Sequence, residues 1–137
     1  MRPSKVFIDT NVLLDYILDR GKPSIDAERI FEMCLHGEIE CYIAAHSIVN
    51  IFYILRKYYS VTIRKQILSS LCALCCVVSV DERKVKDALE GPHSDVEDHL
   101  QILCAEEAKA DCIITRNMKG FKNSSIKILT PRKFLVQ

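Results

Sequence analysis

Hydrophobic positions along the chain follow two patterns. Short runs rich in β-branched and aromatic residues predict five strands, at 5–9, 40–44, 76–80, 112–115 and 126–129. Between these runs, apolar residues recur with a helical period and predict seven helices, at 11–18, 24–36, 48–59, 62–72, 82–90, 95–108 and 131–135. Strands separated by helices predict an α/β fold with a central parallel sheet and helices on both of its faces.

Polar residues at the starts of these helices predict where several of them begin. The candidate first residues and N-caps are Ser24, Ser47, Thr62, Asp81 and Thr130. The helix at 48–59 is apolar nearly all round, so we expect it to lie buried between layers. Within it Asn50 needs a partner: its amide could make a buried structural hydrogen bond or face the crevice of the sheet, and the sequence alone favours the structural role.

Composition limits the class of protein. A chain of 137 residues, 49% hydrophobic and 27% charged, is about one domain long, so we expect a single domain over 1–137. Its seven cysteines are odd in number and lie mostly in apolar runs, which indicates reduced thiols in a cytoplasmic protein. Cys72 and Cys75 have zinc-ligand spacing, but no second pair of ligands complements them.

No segment has the pattern of a membrane span or a secretory signal. The longest largely apolar stretch, 68–80, contains three serines and is shorter than the roughly 20 residues that a span needs. Asp9 interrupts the first apolar run before a signal sequence could form.

Charge is unevenly distributed along the chain. From Lys109 onward there are seven basic residues and one acid, a net charge of +6, and because the whole chain carries +1 the remainder carries −5. Such an asymmetry suits a phosphate-backbone ligand beside a cation site, but taken alone it slightly favours a solvated C-terminal face. The basic residues that follow the fourth predicted strand and could meet phosphate are Arg116, Lys119 and Lys122.

Polar side chains follow two of the predicted strands. Asp9 comes directly after the first strand and is followed by Thr10 and Asn11, which could hold its carboxylate or cap the next helix. Thr115 and Asn117 lie at the end of the fourth strand. In parallel sheets such positions face the crevice beyond the carboxyl ends of the strands, so an oxygen-lined site is expected there.

Asp95 and Asp98 are three residues apart at the start of a predicted helix, where both carboxylates would face the same side. A divalent cation with oxygen ligands would relieve their repulsion. Acids in a first helical turn are also favoured by the helix dipole, so the pair by itself leaves both interpretations open. Of the four histidines, only His99 is expected to neighbour this pair.

The ordered set of motifs resembles the PIN domain, and most closely the small bacterial PIN proteins of the VapC toxin type. The matching segments are Val6 to Asp15, Ser47 with its apolar helix, Asp95 to Asp98, Ile113 to Asn117 with Gly120 and Phe121, Leu129 to Pro131, and Phe134 with Leu135. The resemblance implies a three-layer α/β/α fold and a metal-dependent ribonuclease that uses Mg²⁺ or Mn²⁺. It further implies RNA as the substrate, an antitoxin as protein partner, and a homodimer.

Carried over position by position, the first acid of the family falls on Asp9 and the acid of the later helix on Asp98, with Asp95 as an accessory. Thr115 and Asn117 match the family's residues after the fourth strand. The resemblance thus implies catalytic roles for the three acids, metal binding by Asp9 and Asp98, and auxiliary roles for five further residues. These auxiliary residues are Thr10, Asn11, Asn50, Thr115 and Asn117.

Two positions depart from the family pattern. Asn50 stands where the family usually has Glu, and Asn117 and Gly120 stand where an acid is common at one or the other. An amide keeps an oxygen but removes a full negative charge, so Mg²⁺ should bind more weakly. The acids that could compensate are Asp15, Asp95 and Glu97.

Two alternatives remain at the level of sequence. The altered acidic set is compatible with a catalytically weakened PIN fold that binds RNA or a protein partner. A phosphohydrolase of the haloacid-dehalogenase type also begins with an apolar strand and an Asp, but it requires a second Asp where this chain has Asn11.

Overall fold

A five-stranded parallel sheet forms the centre of the computed structural model, which describes residues 4–137. The first three residues of the domain predicted over 1–137 lie outside the described residues. The strands are β1 (Lys5–Ile8), β2 (Glu40–Ala44), β3 (Cys76–Val78), β4 (Cys112–Ile114) and β5 (Lys127–Leu129). Their order in the sheet is β3-β2-β1-β4-β5, and every neighbouring pair is parallel.

Helices connect the strands and form the two outer layers. They are α1 (Thr10–Ile17), α2 (Lys22–Leu35), α3 (Ala45–Ile54), α4 (Val61–Leu74), α5 (Glu82–Glu90), α6 (Val96–Glu107) and α7 (Pro131–Leu135). Two short 3₁₀ turns, Leu55–Lys57 and Met118–Phe121, follow α3 and β4.

Alternation along the strands divides the core between the two faces of the sheet. Val6 and Ile8 point into one buried cluster, which side chains of α1, α2, α3, α4 and α7 complete. Phe7, between them, points into the other cluster, where it meets Ile102 of α6 and Phe121. The predicted three-layer α/β/α fold with five parallel strands is therefore confirmed.

Helix starts were predicted correctly at some positions and wrongly at others. Asp81 and Thr130 are N-caps, and each accepts a hydrogen bond from a backbone N–H three residues on. The prediction for Ser24 was wrong because α2 already begins at Lys22 and the Ser24 hydroxyl donates to the Leu18 carbonyl. The α4 helix begins one residue before Thr62, and Ser60 caps it.

The third helix differs most from its prediction. It spans Ala45–Ile54 rather than 48–59, and Ser47 is buried inside its first turn instead of capping it. The helix is not buried between layers, because Val49 and Tyr53 are 69% and 63% exposed. Its apolar character therefore creates an exposed apolar surface.

Among the helices in residues 4–137, none is long and apolar enough to cross a membrane.

The order of the strands creates a crevice between β1 and β4. The chain builds the sheet outward from β1 through β2 to β3, then returns to the other side of β1 with β4 and β5. At such a reversal, the connections leaving the carboxyl ends of the two strands diverge and leave a crevice. The Asp9 backbone N–H donates to the Ile114 carbonyl at 3.0 Å, so Asp9 and Thr115 follow adjacent strands at this point.

Candidate functional site

Asp9 is buried at the crevice, and two side chains fix its carboxylate. Thr115 Oγ1 donates to Oδ2 at 2.8 Å and Gln101 Nε2 donates to Oδ1 at 3.0 Å. Burial raises the pKa of Asp9 above its ordinary value, and repulsion from Glu97 adds to this, while the two hydrogen bonds partly lower it again. The carboxylate is therefore held in one orientation at a cost in solvation.

Thr10 lies beside Asp9 but does not hold its carboxylate through its hydroxyl. Its Oγ1 shares a 2.6 Å hydrogen bond with the Ser47 hydroxyl, and its backbone N–H donates to Gln101 Oε1 at 3.0 Å. Thr10 thus connects α1 to α3 and α6. Asn11, the next residue, is exposed on α1.

The sequence predicted that Asp95 and Asp98 both lie in the first turn of the helix, but only Asp98 does. Asp95 precedes α6 as its N-cap, and its Oδ1 accepts the Asp98 backbone N–H at 3.0 Å. Burial raises the pKa of Asp98 to about 6, with further contributions from the negative charges of Asp95, Asp9 and Glu97. The charged form of the Asp98 carboxylate is therefore disfavoured both by burial and by its acidic neighbours.

The turn after β4 closes against Asp98. Asn117 Oδ1 accepts the Gly120 backbone N–H at 3.2 Å, and Phe121 is fully buried beneath this turn. A Cβ added to Gly120 would lie 2.5 Å from Asp98 Oδ2 and 2.5 Å from Asn117 Nδ2. The backbone at position 120 therefore lies so close to Asp98 that any side chain there would displace the Asp98 carboxylate.

Acidic and basic side chains share one cavity of about 390 Å³ at this turn. Its charged and amide-bearing side chains are those of His93, Asp95, Asp98, Asn117, Lys119, Lys122 and Asn123. The structure thus brings two of the predicted acids together with two of the three predicted phosphate-binding bases.

A second cavity, of about 510 Å³, lies between the start of α1, α3 and Glu97 of α6. It is lined by Thr10, Asn11, Leu14, Val49, Asn50, Tyr53, Ile54 and Glu97. Asn50 is exposed there, so the expected buried structural hydrogen bond was wrong. The apolar helix turns this position toward solvent because Ser47 and Ile51 take its buried side.

Arg116 binds another acid. Its Nε donates to Asp15 Oδ2 at 2.6 Å and its Nη2 to Oδ1 at 3.1 Å, and Arg20 adds a contact at 3.3 Å. Asp15 is fully buried, so these arginines neutralise it and it does not supply charge to the crevice. A phosphate contact by Arg116 would compete with Asp15.

Sequence reasoning missed two residues around the site, Gln101 and His46. Gln101 is fully buried and contacts Asp9, Thr10 and Glu97. A signal for it existed, because a lone amide in an apolar stretch of α6 requires buried partners. His46 Nε2 hydrogen-bonds to Glu97 Oε2.

Histidine placement also differed from expectation. His93 Nε2 donates to the Gly120 carbonyl at 2.8 Å, while its Nδ1 accepts the Asp95 backbone N–H at 3.1 Å. His93 therefore supports the acidic turn, and His99 stacks on His93 at a centroid distance of 5.8 Å.

The donor set fits a hard divalent cation. Within residues 4–137, the Asp98 carboxylate accepts no hydrogen bond and makes no ion pair, although three negative side chains surround it. Carboxylate and amide oxygens are the ligands that Mg²⁺ and Mn²⁺ prefer. No three His, Cys, Asp or Glu side chains in this part of the chain converge as a complete ligand set.

Fold and site together define a three-layer α/β protein with paired carboxylates at the switch point of its sheet. The chain belongs to the PIN domain family, because the model of that family matches residues 5–119. It is 27% identical to Ribonuclease VapC1 of Aquifex aeolicus (strain VF5), over 98% of this chain and 95% of that protein.

Solved structures share the fold at lower identity. The VapBC-1 structure from nontypeable Haemophilus influenzae matches with a TM-score of 0.69 and 16% identity, covering 94% of this chain and 99% of that one. A toxin-antitoxin complex from Klebsiella pneumoniae matches with a TM-score of 0.67 and 19% identity, covering 92% and 97%. These likenesses support the fold.

Proposed function

We propose that this chain is a metal-dependent endoribonuclease of the VapC type that hydrolyses RNA phosphodiester bonds with Mg²⁺ or Mn²⁺. The observation that carries the proposal is the pair Asp9 and Asp98 at the switch point, whose pKa values are both raised by burial and by neighbouring acids. Such a pair gains most from a divalent cation. The name of the relative Ribonuclease VapC1 supports RNA as the substrate.

Asp9 and Asp98 hold the metal, and Asp95 supports Asp98 through the α6 N-terminus. When bound, a divalent ion supplies an activated water and neutralises charge that develops on the phosphate. Thr115 and Gln101 keep the Asp9 carboxylate in one orientation. The carboxylate therefore needs no rearrangement before it binds the metal.

The basic side chains in the 390 Å³ cavity beside Asp98 contact the RNA backbone. Lys119 and Lys122 line the same cavity as Asp98, so a phosphate beside the metal would lie within their field. Asn117 holds the turn that carries Lys119. Thr10, Asn11 and Asn50 line the neighbouring cavity and contribute auxiliary polar contacts there.

Amides at two positions weaken the metal site. Asn50 and Asn117 provide oxygens without negative charge, so the affinity for Mg²⁺ is lower than that of a fully acidic set. This raises the concentration of metal that the enzyme requires.

Cleavage of a structured RNA tests the proposal. Purified protein is incubated with the RNA in Mn²⁺, in Mg²⁺ and in EDTA, beside Asp9→Asn, Asp98→Asn and the matched control Asp87→Asn, whose side chain is exposed on α5. We expect metal-dependent cleavage by the wild type and the control, and a loss of at least about 100-fold in the two site variants.

Two outcomes would count against this activity. Cleavage that persists in EDTA or in Asp9→Asn would exclude the metal-nuclease mechanism. RNA binding without cleavage in either metal would instead favour the alternative of a binding module, which the neutral Asn50 and Asn117 make a specific second candidate.

A protein partner is the second part of the proposal. The likeness of the fold to that of the toxin-antitoxin complex from Klebsiella pneumoniae supports an antitoxin as that partner. An apolar cavity of about 540 Å³ between α3 and α4, lined by Ile48, Val49, Phe52, Lys65, Leu68, Ser69 and Cys72, provides a surface that a protein could cover. Co-purification with the product of a neighbouring short reading frame tests the antitoxin, and sedimentation of the free chain tests the homodimer.

A further inference from the structure

Glu97 is connected to Asp9 through a single amide. Gln101 Nε2 donates to Asp9 Oδ1 at 3.0 Å and to Glu97 Oε1 at 3.1 Å. Both carboxylates accept a hydrogen bond from the same nitrogen. The two acceptor oxygens, Asp9 Oδ1 and Glu97 Oε1, therefore lie close together. His46 Nε2 hydrogen-bonds to the other oxygen, Glu97 Oε2, so both ends of this carboxylate are fixed.

The charge of Glu97 acts on both proposed metal ligands. Repulsion from Glu97 contributes to the raised pKa of Asp9 and to that of Asp98. Asp15 is neutralised by two arginines, whereas Asp95 acts on Asp98 more strongly than Glu97 does but caps α6 and lines the cavity of Asp98 rather than that of Asn50. Of the three acids that could compensate for the missing charges, Glu97 is the one fixed beside Asp9 without a guanidinium partner.

Glu97 also faces the position where an acid is missing. It lines the same 510 Å³ cavity as Asn50, and it is the one acidic side chain lining that cavity within residues 4–137. A negative charge placed at either residue would therefore act from the same cavity, which Thr10 next to Asp9 also lines.

We propose that Glu97 is a positioning residue that supplies the negative charge which Asn50 does not provide, with His46 and Gln101 holding it next to Asp9. The inference rests on the proposed metal-dependent function. Glu97 acts on the site through its charge and through Gln101 rather than as a metal ligand, because His46 and Gln101 hold its carboxylate at the cavity of Asn50.

Binding of Mn²⁺ to the RNA-free protein, followed by electron paramagnetic resonance, tests this role. We expect Glu97→Gln to weaken Mn²⁺ binding about tenfold, as loss of an outer interaction at a metal site does. Glu106→Gln, which removes the same charge further along α6 where Glu106 binds Ser125, should bind Mn²⁺ like the wild type. Glu97→Gln should fold, since the amide has the same shape and His46 can change its tautomer to match it.

Rescue separates a role in charge from a role in stability. Asn50→Glu added to Glu97→Gln should recover Mn²⁺ affinity to within about threefold of the wild type, because it returns a charge to the same cavity. A purely structural contact between α3 and α6 would lower the melting temperature of the metal-free protein without changing its Mn²⁺ affinity, and Asn50→Glu would not restore it.

The outcomes distinguish this inference from the proposed function. If Mn²⁺ binds the wild type but not Asp9→Asn, while Glu97→Gln binds as the wild type does, the role of Glu97 is overturned and the metal site stands. A double variant no better than Glu97→Gln alone would overturn it as well. If the wild type and Asp9→Asn bind Mn²⁺ equally weakly, both proposals fail.

Discussion

Asp9 and Asp98 share one crevice, but their surroundings differ. Asp9 is deeply buried and receives hydrogen bonds from Thr115 and Gln101. Asp98 receives none from the described part of the chain and faces the charges of Asp95, Asp9 and Glu97. Hydrogen bonds to a carboxylate favour its charged form, whereas burial and like charges oppose it. The charged state of Asp98 should therefore respond strongly to pH and to a bound cation.

The first prediction concerns the stability of the metal-free protein between pH 4 and pH 7. The pKa of Asp98 is raised from 3.8 to about 6, so the folded state binds more protons than the unfolded state in this window. The Asp98 contribution to the free energy of unfolding should then decrease as pH rises from about 4 to about 6, and level off above. Urea unfolding at several pH values, in wild type and Asp98→Asn, measures this contribution as a difference.

Protonation of Asp98 should also weaken the binding of metal, with affinity falling as pH drops below about 6. Parallel pH profiles of stability for wild type and Asp98→Asn would contradict the assignment of this pKa.

The second prediction uses the close approach of Gly120 to Asp98. In Gly120→Ala the new Cβ would displace Asp98 Oδ2 and Asn117 Nδ2, so Mn²⁺ affinity should fall by about tenfold or more, as expected when the supports of a ligand move. Gly37→Ala is the control. Its backbone has φ +75° and an added Cβ meets no atom within 4 Å, so it should destabilise the fold by about 1 kcal/mol and leave Mn²⁺ binding unchanged. Equal Mn²⁺ affinities in the two variants would argue against the contact.

At the scale of elements, local patterns located most strands and helices, but side-chain partners decided several helix starts. Asp81 and Thr130 cap the helices that the sequence assigned to them. Ser47 has the residue type of a cap, yet its hydroxyl bonds Thr10 on another helix, and α3 begins two residues earlier. Propensity identifies residues that accept backbone N–H groups, whereas the tertiary fold selects which partner they use.

The third prediction concerns the link between α1 and the segment after β4. Arg116 makes two hydrogen bonds to the buried Asp15, which would otherwise keep only the Arg20 contact at 3.3 Å. We expect Arg116→Met to lower the free energy of unfolding by about 2 kcal/mol, because a buried carboxylate loses most of its neutralising partner.

Lys86→Met provides the comparison for this variant. Lys86 pairs with Glu82 on the exposed surface of α5, and such pairs contribute only about 0.3 to 0.5 kcal/mol. Urea denaturation of both variants measures the difference. Equal losses in the free energy of unfolding would show that the Arg116–Asp15 pair stabilises the fold no more than an exposed pair does.

At the scale of the whole molecule, the sheet brings distant segments to one edge. Asp9 and Thr115 are 106 residues apart in sequence and 2.8 Å apart in space. The basic C-terminal part of the chain supplies Lys119 and Lys122 to a cavity whose acids come from the acidic remainder. The charge asymmetry of the sequence therefore becomes a juxtaposition of opposite charges at the site.

The fourth prediction follows from the distribution of the seven free cysteines over the fold. Cys72 and Cys76 are exposed, and hydrogen bonding with Cys41 lowers the pKa of the half-buried Cys34 to about 6, so in the native free chain these three thiols should react first with a disulfide reagent. Burial raises the pKa of Cys104 to about 11 and that of Cys112 to about 12, which suppresses their thiolates, and they should react only after unfolding.

Counting the thiols that react, with and without denaturant, checks this prediction. Cys72→Ser with Cys76→Ser should remove two of the three thiols that react in the native protein and leave Cys34. Cys72 also lines the apolar cavity between α3 and α4, so a protein partner bound there should slow its reaction and leave that of Cys76 unchanged. Fast reaction of Cys104 in the native protein would contradict the placement of α6 against the sheet.

The sequence by itself determined the class of fold, the approximate positions of the strands, and Asp9 as an acid at the end of the first strand. Periodicity and burial are local properties, so they can be read along the chain. Only the tertiary structure decided that β1 lies beside β4, that Gln101 joins Asp9 to Glu97, and that Asp15 is neutralised by Arg116, 101 residues away. Such contacts join residues far apart in sequence and leave no local pattern, because packing alone determines which buried polar groups become partners.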